Sequence, residues 1–282
     1  MNNEIINYKN TVLFVEPRNI NHVFVTLHNA FNILKDDWNY VFYCGKGVYD
    51  EWKNIMPYYV ELRQLDSDNW VNGEYSEFFK TKELWLSLTG DFILTTQLDV
   101  WLFNDYPYTI DYFIKQDRSY IGGNMCYSWK EFASLGITSQ INNFNGGLSL
   151  RKRRDMIKII DYFNHINEPL YNNLPEDVYF TLGCYKLQLK TGDEDETMQF
   201  AVHCIYYDKC FGVHHMWDNE VQTKILNKCP YLLDINPYVC GSRVLGENLS
   251  SSKPIHIHVP KKQIIDNSLP FTQSINVYNH NI

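Results

Sequence analysis

Three clusters in this chain have residue types and spacings that could do chemistry. Gln97-Leu98-Asp99 directly follows an apolar run, Asp91–Thr96 (DFILTT). Residues two apart just beyond a strand point to one side, so Gln97 and Asp99 can converge. A carboxylate so placed can hold a divalent cation against a phosphate. Pro175-Glu176-Asp177 opens a helical pattern, and a carboxylate there can take the proton of a hydroxyl nucleophile. Phe211 through Trp217 (FGVHHMW) carries His214 and His215, and an imidazole there can ligate a cation or contact a diphosphate. Asn145-Gly146-Gly147 adds paired glycines, which permit close backbone approach or an unusual turn. Each feature also has a plain structural reading. A turn Asp satisfies backbone amides, acidic residues in a first helical turn favour the helix dipole, and an isolated His packs in a core. His203, Cys204, Cys210, His214 and His215 fit no common closed zinc spacing.

The surrounding pattern says how such residues would be held. Thr11–Glu16 (TVLFVE), Trp38–Tyr43, Val60–Leu65 and Asp91–Thr96 read as strands. Asn21–Leu34, with apolar residues three and four apart, and Glu74–Leu88 read as helices between them. This alternation predicts an α/β fold with a mainly parallel sheet flanked by helices. Ligands then gather outside the carboxyl ends of the strands, where Gln97 and Asp99 fall. Further on, Tyr120–Gly123 and Gly146–Leu150 are predicted strands around an active-site loop. Arg151–Phe163 and Glu176–Tyr185 are predicted helices, Gln199–Ile205 a late strand, Val221–Lys228 a helix and Ile255–Val259 a strand-like piece of the tail. The basic run Arg151-Lys152-Arg153-Arg154 reads as the solvated start of its helix. Residues 1–220 are expected to form the catalytic domain, and residues 221–282 a C-terminal helix and extended tail that packs on it or on a partner.

Composition narrows the class. Hydrophobic residues make up 45% and charged residues 21% of 282, which excludes wholesale disorder. A net charge of −8 gives no footprint for nucleic acid. Met1–Asn10 is polar and no run reaches the ~18 apolar residues of a membrane span, so a cytoplasmic protein is expected. Seven cysteines without CxxC pairs read as reduced thiols.

Taken in order, these segments resemble a family of uncharacterised GT-A-like glycosyltransferases found in microbes and large DNA viruses. The resemblance runs from about Thr11 to Trp217 and rests on six pieces. They are Phe14-Val15-Glu16-Pro17-Arg18, Gln97-Leu98-Asp99, Tyr120-Ile121-Gly122, Asn145 through Arg151, Glu176-Asp177-Val178 and His214 through Trp217. It implies a GT-A-like, Rossmann-related fold and transfer of a sugar from a nucleotide sugar, UDP-sugar favoured, to a glycan or glycoprotein hydroxyl. Asp99 would be the main carboxylate for Mn2+ or Mg2+, with Gln97 replacing the first acid of the usual Asp-x-Asp. His214 would be a late metal or diphosphate contact. Asp177, with Glu176 as rival, would be the acceptor-side base. Asn145, Gly146, Gly147 and Trp217 would shape the sugar pocket, and Glu16 and Arg18 would lie by the nucleotide. Two other readings stay open: a sugar-nucleotidyltransferase, and a non-catalytic carbohydrate- or nucleotide-binding module. The first should carry a glycine-rich phosphate loop after its first strand, and Phe14–Ile20 has no glycine. A homodimer through the tail is a further expectation.

Overall fold

The computed structural model describes residues 9–71, 73–125 and 144–240. The chain runs β1 (Asn10–Glu16), α1 (Val23–Leu34), β2 (Trp38–Cys44), α2 (Tyr49–Ile55), β3 (Val60–Gln64), α3 (Glu74–Phe79), α4 (Lys82–Ser87) and β4 (Phe92–Thr96). It continues through β5 (Val100–Leu102), α5 (Ile110–Lys115), β6 (Tyr120–Asn124), β7 (Phe144–Lys152), α6 (Arg153–Ile166) and α7 (Pro169–Asn172). Last come α8 (Glu176–Lys186), α9 (Glu194–Phe200), β8 (Ala201–Val202), β9 (Gly212–His214), α10 (Asn219–Lys228) and α11 (Leu232–Ile235). Of the active-site loop expected over residues 124–145, residues 126–143 lie outside the described residues, as does Ile255–Val259; at its ends Asn124 closes β6, and Phe144 and Asn145 open β7.

Among the described residues the main sheet has the order β3-β2-β1-β4-β7-β6. β3, β2, β1 and β4 are parallel, while β7 runs antiparallel to both β4 and β6. The expected α/β fold with a mainly parallel sheet is the fold observed. The central strands β1 and β4 are buried on both faces because both sides of the sheet are covered. Leu13, Val15, Val41 and Ile93 pack with Met156, Ile160 and Phe163 of α6 and Val178 and Phe180 of α8. Val12, Tyr40 and Leu94 alternate with them and pack with Ala30 and Leu34 of α1. A one-residue slip would exchange these two sets, so burial fixes the register.

A second, small sheet has the order β5-β9-β8. It sits at the carboxyl edge of β4, because β5 follows β4 after a three-residue turn and pairs antiparallel with β9. Beneath it, α10 and α11 bury Val221, Ile225 and Leu232 against Phe103, Val213 and Met216. The chain just after residue 220 thus packs on the body as far as Cys240. No helix among the described residues is long and apolar enough to cross a membrane.

Three expected elements differ. The helix expected over Glu74–Leu88 is two, α3 and α4. Thr81 is extended (ψ 135°), its hydroxyl bonds the Phe78 carbonyl at 2.7 Å, and the Trp85 indole bonds that of Phe79 at 2.7 Å. Side chains thereby take carbonyls that a continuous helix would have used. The strand expected over Gln199–Ile205 is only Ala201–Val202. A capping box between Asp193 and Glu196 starts α9 upstream, and the helix runs through Gln199 to Phe200. Arg151 and Lys152 are not a solvated helix start. They end β7, where Arg151 faces Ile93 on one neighbour and Tyr120 on the other, and both side chains are buried. Only Arg153 and Arg154 open α6.

Candidate functional site

The turn between β4 and β5 presents Asp99. It is closed by the Val100 N–H, which donates to the Gln97 carbonyl at 3.2 Å. Val100 in β5 lies opposite His214 in β9, so sheet register brings the late histidine to the turn. Asp99 Oδ1 lies 3.2 Å from His214 Nε2, and Asp99 Oδ2 lies 2.7 Å from His215 Nδ1. The His215 N–H also donates to the Asp99 carbonyl at 3.1 Å. His215 holds a left-handed backbone (φ 40°), uncommon for a residue with a side chain. Burial works against ionisation of Asp99. The charge and contact of His214, with the hydrogen bond and charge of His215, outweigh it and hold the carboxyl well below the usual carboxylate range.

The contact between Asp99 Oδ1 and His214 Nε2 is close, but its angles do not make a hydrogen bond. Both atoms are buried without a hydrogen-bond partner, a costly state for polar groups. Two orphaned donor atoms facing one another at this separation fit a divalent cation that takes its other ligands from substrate phosphate and water. No group of three or more His, Cys, Asp or Glu among the described residues could hold a metal. The pair is not a closed zinc site. His203 stands behind it. Its Nδ1 pairs with the His214 carbonyl at 2.8 Å, and its ring lies parallel to that of His214 at 5.3 Å. Burial, then the charge of His214, push the His203 imidazole down to about 4.

Asn145-Gly146-Gly147 falls in a bulge. Gly122 pairs with Ser149 and Asn124 with Phe144, so Gly123 of β6 is opposed by residues 145–148 of β7. Bulges re-aim side chains near functional sites. The Asn145 Oδ1 accepts the Gly147 N–H at 2.8 Å and pins the bend. The glycines are required by close approach. A Cβ on Gly146 would stand 1.9 Å from Glu176 Oε1, and one on Gly147 would stand 2.1 Å from His214 Nε2 and 2.5 Å from Gln97 Oε1. One glycine makes room for the second acidic site and the next makes room for the first. Gln97 is held from the other side, its Nε2 donating to the Tyr75 hydroxyl at 2.8 Å.

Glu176 is committed to Arg151. The guanidinium donates from Nη1 to Oε2 at 2.5 Å and from Nη2 to Oε1 at 3.1 Å, with both side chains buried. Asp177, next along α8, is half-buried, and its Oδ1 accepts the Val178 N–H at 2.8 Å. Burial first, then the Glu176 charge, push its carboxyl up to about 7 against the opposing pull of that N–H and Arg151. Of the two candidate bases, Asp177 has the free oxygen and the suitable proton affinity.

A cleft of about 450 Å³ opens at the ends of β1 and β4 and brings together Glu16, Arg18, Gln97 and Asp99. Arg18 bends back from Pro17 so that its Nε and Nη2 donate to Glu16 at 2.7 and 2.8 Å, its remaining donors toward solvent. Trp70, Tyr75, His215 and Tyr238 complete the walls. Asn145, Gly146, Gly147, Glu176, Asp177 and His214 do not line this cleft. His214 and Gly147 adjoin the Gln97–Asp99 turn, and Gly146 adjoins Glu176. Trp217 does not line it either; it is half-exposed, with its ring edge-on to His215 at 4.3 Å.

A protein-family model matches residues 60–214, more than half of the 282-residue chain. The chain belongs to that family, described as "Protein of unknown function (DUF5672)". The matched segment runs from β3 to the last residue of β9. It contains Gln97, Asp99, the Asn145 bulge, Arg151, Glu176, Asp177 and His214, and leaves Glu16, Arg18 and Trp217 outside. No curated protein matches the chain. Among solved structures, the apo-form glycosyltransferase GlyE of Streptococcus pneumoniae TIGR4 is similar over 73% of this chain, at 12% identity and a TM-score of 0.42. The match spans about half of that protein's chain, 54%.

Sequence reasoning missed Arg151, Tyr75 and Tyr238 as parts of this region, while His215 was singled out only beside His214. Arg151 left one trace, a charge two residues after Ser149 within a strand pattern. Tyr75 and Tyr238 left none, since many aromatics here fill the core.

Proposed function

We propose that this protein is a metal-assisted glycosyltransferase that moves a sugar from a nucleoside-diphosphate sugar to a hydroxyl of a glycan or glycoprotein. The observation that carries the reading is the pair of orphaned atoms on Asp99 and His214 beside a cleft that also presents Arg18. A bound Mn2+ or Mg2+ would neutralise charge on the leaving diphosphate. Asp99 and His214 would hold that cation, and Arg18, pre-oriented by Glu16, would meet the donor's phosphate or nucleoside. Asp177 would take the acceptor's proton as the acceptor oxygen bonds the anomeric carbon. The carbon–phosphate oxygen bond would break with its electron pair going to the diphosphate. Gly146 and Gly147 would keep the two halves of the site in contact.

A thermal-shift panel of nucleotide sugars with and without Mn2+ tests this. A ligand at one hundred times its Kd adds about 2.7 kcal/mol, which raises Tm by roughly 5 °C or more in a chain of this size. At least one donor is expected to do so only with metal present. A panel without any metal-dependent binder would sink the transferase reading, and binding without turnover would favour the non-catalytic module.

Asp177→Asn gives a separate check with a worked sign. Acting as a base, Asp177 must be ionised, so kcat should fall about tenfold per pH unit below about 7, and Asp177→Asn should lose turnover at every pH. The raised folded pKa means the folded state binds this proton more tightly than the unfolded chain. That stability is complete below the unfolded carboxyl range and lost as pH rises through about 7. Asp177→Asn should therefore be more stable than wild type at pH 8 by about 2 kcal/mol, discounted for solvent, and no more stable at pH 4. Equal Tm differences at both pH values, read by calorimetry, would show that this carboxyl titrates normally.

A further inference from the structure

The chain beyond the family-matched residues reaches back to the Asp99 turn. Asn236, fully buried at the end of α11, donates from Nδ2 to the Leu98 carbonyl at 3.0 Å and to the Val100 carbonyl at 2.9 Å. Its Oδ1 accepts the Tyr238 N–H at 3.1 Å, which turns the chain toward the cleft. The carbonyl between those two, that of Asp99, is taken by His215 N–H at 3.1 Å. Three consecutive carbonyls around Asp99 thus each accept a bond from a group after residue 214, that of Leu98 also accepting the Thr26 hydroxyl at 3.3 Å. Buried carbonyls demand such donors, so Asn236 and the turn fix one another. The segment is anchored in turn by Met216 N–H, which donates to the Val239 carbonyl at 2.7 Å, and by a bridge between Met216 and Cys240. Tyr238 and Cys240 line the cleft, and the Tyr238 ring rests on His22 at 4.8 Å.

We propose that residues 232–240 are a working part of the donor site, with Asn236 the positioning residue of the Asp99 turn and Tyr238 a wall of the cleft. The proposal rests on the donor-site reading above. Asn236 touches no substrate. It acts by fixing where the Asp99 carboxylate stands relative to His214, so its loss should fall on the metal-dependent part of nucleotide binding. Tyr238 meets the ligand itself, so its loss should fall on affinity with or without metal.

The test uses the full chain and two readouts. Amide hydrogen exchange at Val100 and His215, whose N–H groups bond the Gln97 and Asp99 carbonyls, is expected to be at least tenfold faster in Asn236→Ala. Exchange in β1 should stay as in wild type. Unchanged exchange at Val100 and His215 overturns the positioning role. Titration with UDP and GDP, each with and without Mn2+, is the second readout. The gain in affinity that Mn2+ confers should fall at least fivefold in Asn236→Ala, and an undiminished gain overturns the role. Asn236→Ser, which keeps a short hydroxyl donor, replaces the alanine variant if that variant does not fold. Tyr238→Ala leaves the bonds of Asn236 in place and should weaken nucleotide binding about fivefold with and without metal. Equal affinity removes Tyr238 from the wall. A wild type that binds neither nucleotide counts against the donor reading alone, and the exchange measurement still decides Asn236.

Discussion

Asp99→Ala is expected to lower donor turnover by about three orders of magnitude while leaving the protein folded. The carboxylate stands in a turn closed by backbone bonds that need no Asp99 side chain: Val100 N–H to Gln97, His215 N–H to Asp99 and Asn236 to Leu98 and Val100. Removing the side chain deprives His215 of one hydrogen bond, a loss of about 1 kcal/mol. It also relieves two orphaned buried atoms of their enforced contact. The fold therefore has little to lose. The chemistry has more, because the proposed cation keeps only His214 as a protein ligand once Asp99 is gone. Charge stabilisation at a leaving group is worth about 3–4 kcal/mol per well-placed donor, and a cation supplies several. The measurement is the rate of nucleotide-sugar hydrolysis against Mn2+ concentration, beside a melting curve. Asp99→Asn, which keeps an acceptor for His215 and loses the charge, should sit near alanine in rate and near wild type in Tm. Turnover with an unchanged metal requirement in Asp99→Ala would move the cation elsewhere.

Why some of this was legible in the sequence and some was not follows from range. TVLFVE and DFILTT announce strands buried on both faces because their centres, Val12–Val15 and Phe92–Leu94, are unbroken apolar runs, and a parallel sheet follows from the helices between them. Asp99 is legible because it follows such a strand by three residues. The convergence of His214 on Asp99 depends on β9 pairing with β5 across more than a hundred residues of chain, and local patterning carries no such information. The bulge is legible in part. The paired glycines point to close backbone approach or an unusual turn. Residues 145–148 all stand opposite Gly123, so strict alternation fails along β7, and which groups the glycines make room for, Glu176, His214 and Gln97, is set by distant chain. The basic run misread as solvated follows the same logic. A charged residue enters a sheet only when a distant carboxylate awaits it, and Glu176 lies 25 residues further on.

That pairing makes Arg151 the position where substitution should cost the fold most. Its guanidinium donates to Ser149 Oγ at 2.9 Å, to both oxygens of Glu176, and to the Tyr120 hydroxyl and the Gly146 carbonyl at 3.3 Å each. The rings of Tyr120, Phe180, Phe79 and Trp85 stand 4.7 to 6.0 Å from its carbon centre. No water-exposed route is left for either charge, since both side chains are buried. Arg151→Met should therefore destabilise by about 3–5 kcal/mol, because Glu176 would remain ionised or be forced to take a proton in an apolar box. Arg151→Lys should cost less but not little, since one ammonium cannot serve the carboxylate, the serine and the Gly146 carbonyl together. The double variant Arg151→Met with Glu176→Gln should regain most of the loss, as buried ion pairs are often no more stable than a neutral pair of similar volume. A double-mutant cycle by urea denaturation reads this directly, and a coupling below about 0.5 kcal/mol would mean the two groups act independently. If the double variant regains stability and still turns over donor slowly, the ion pair is kept for where it puts its neighbours. Glu176 precedes Asp177, and Arg151 holds the carbonyl of Gly146, whose successor packs on His214. A neutral pair could fill that space without fixing both ends.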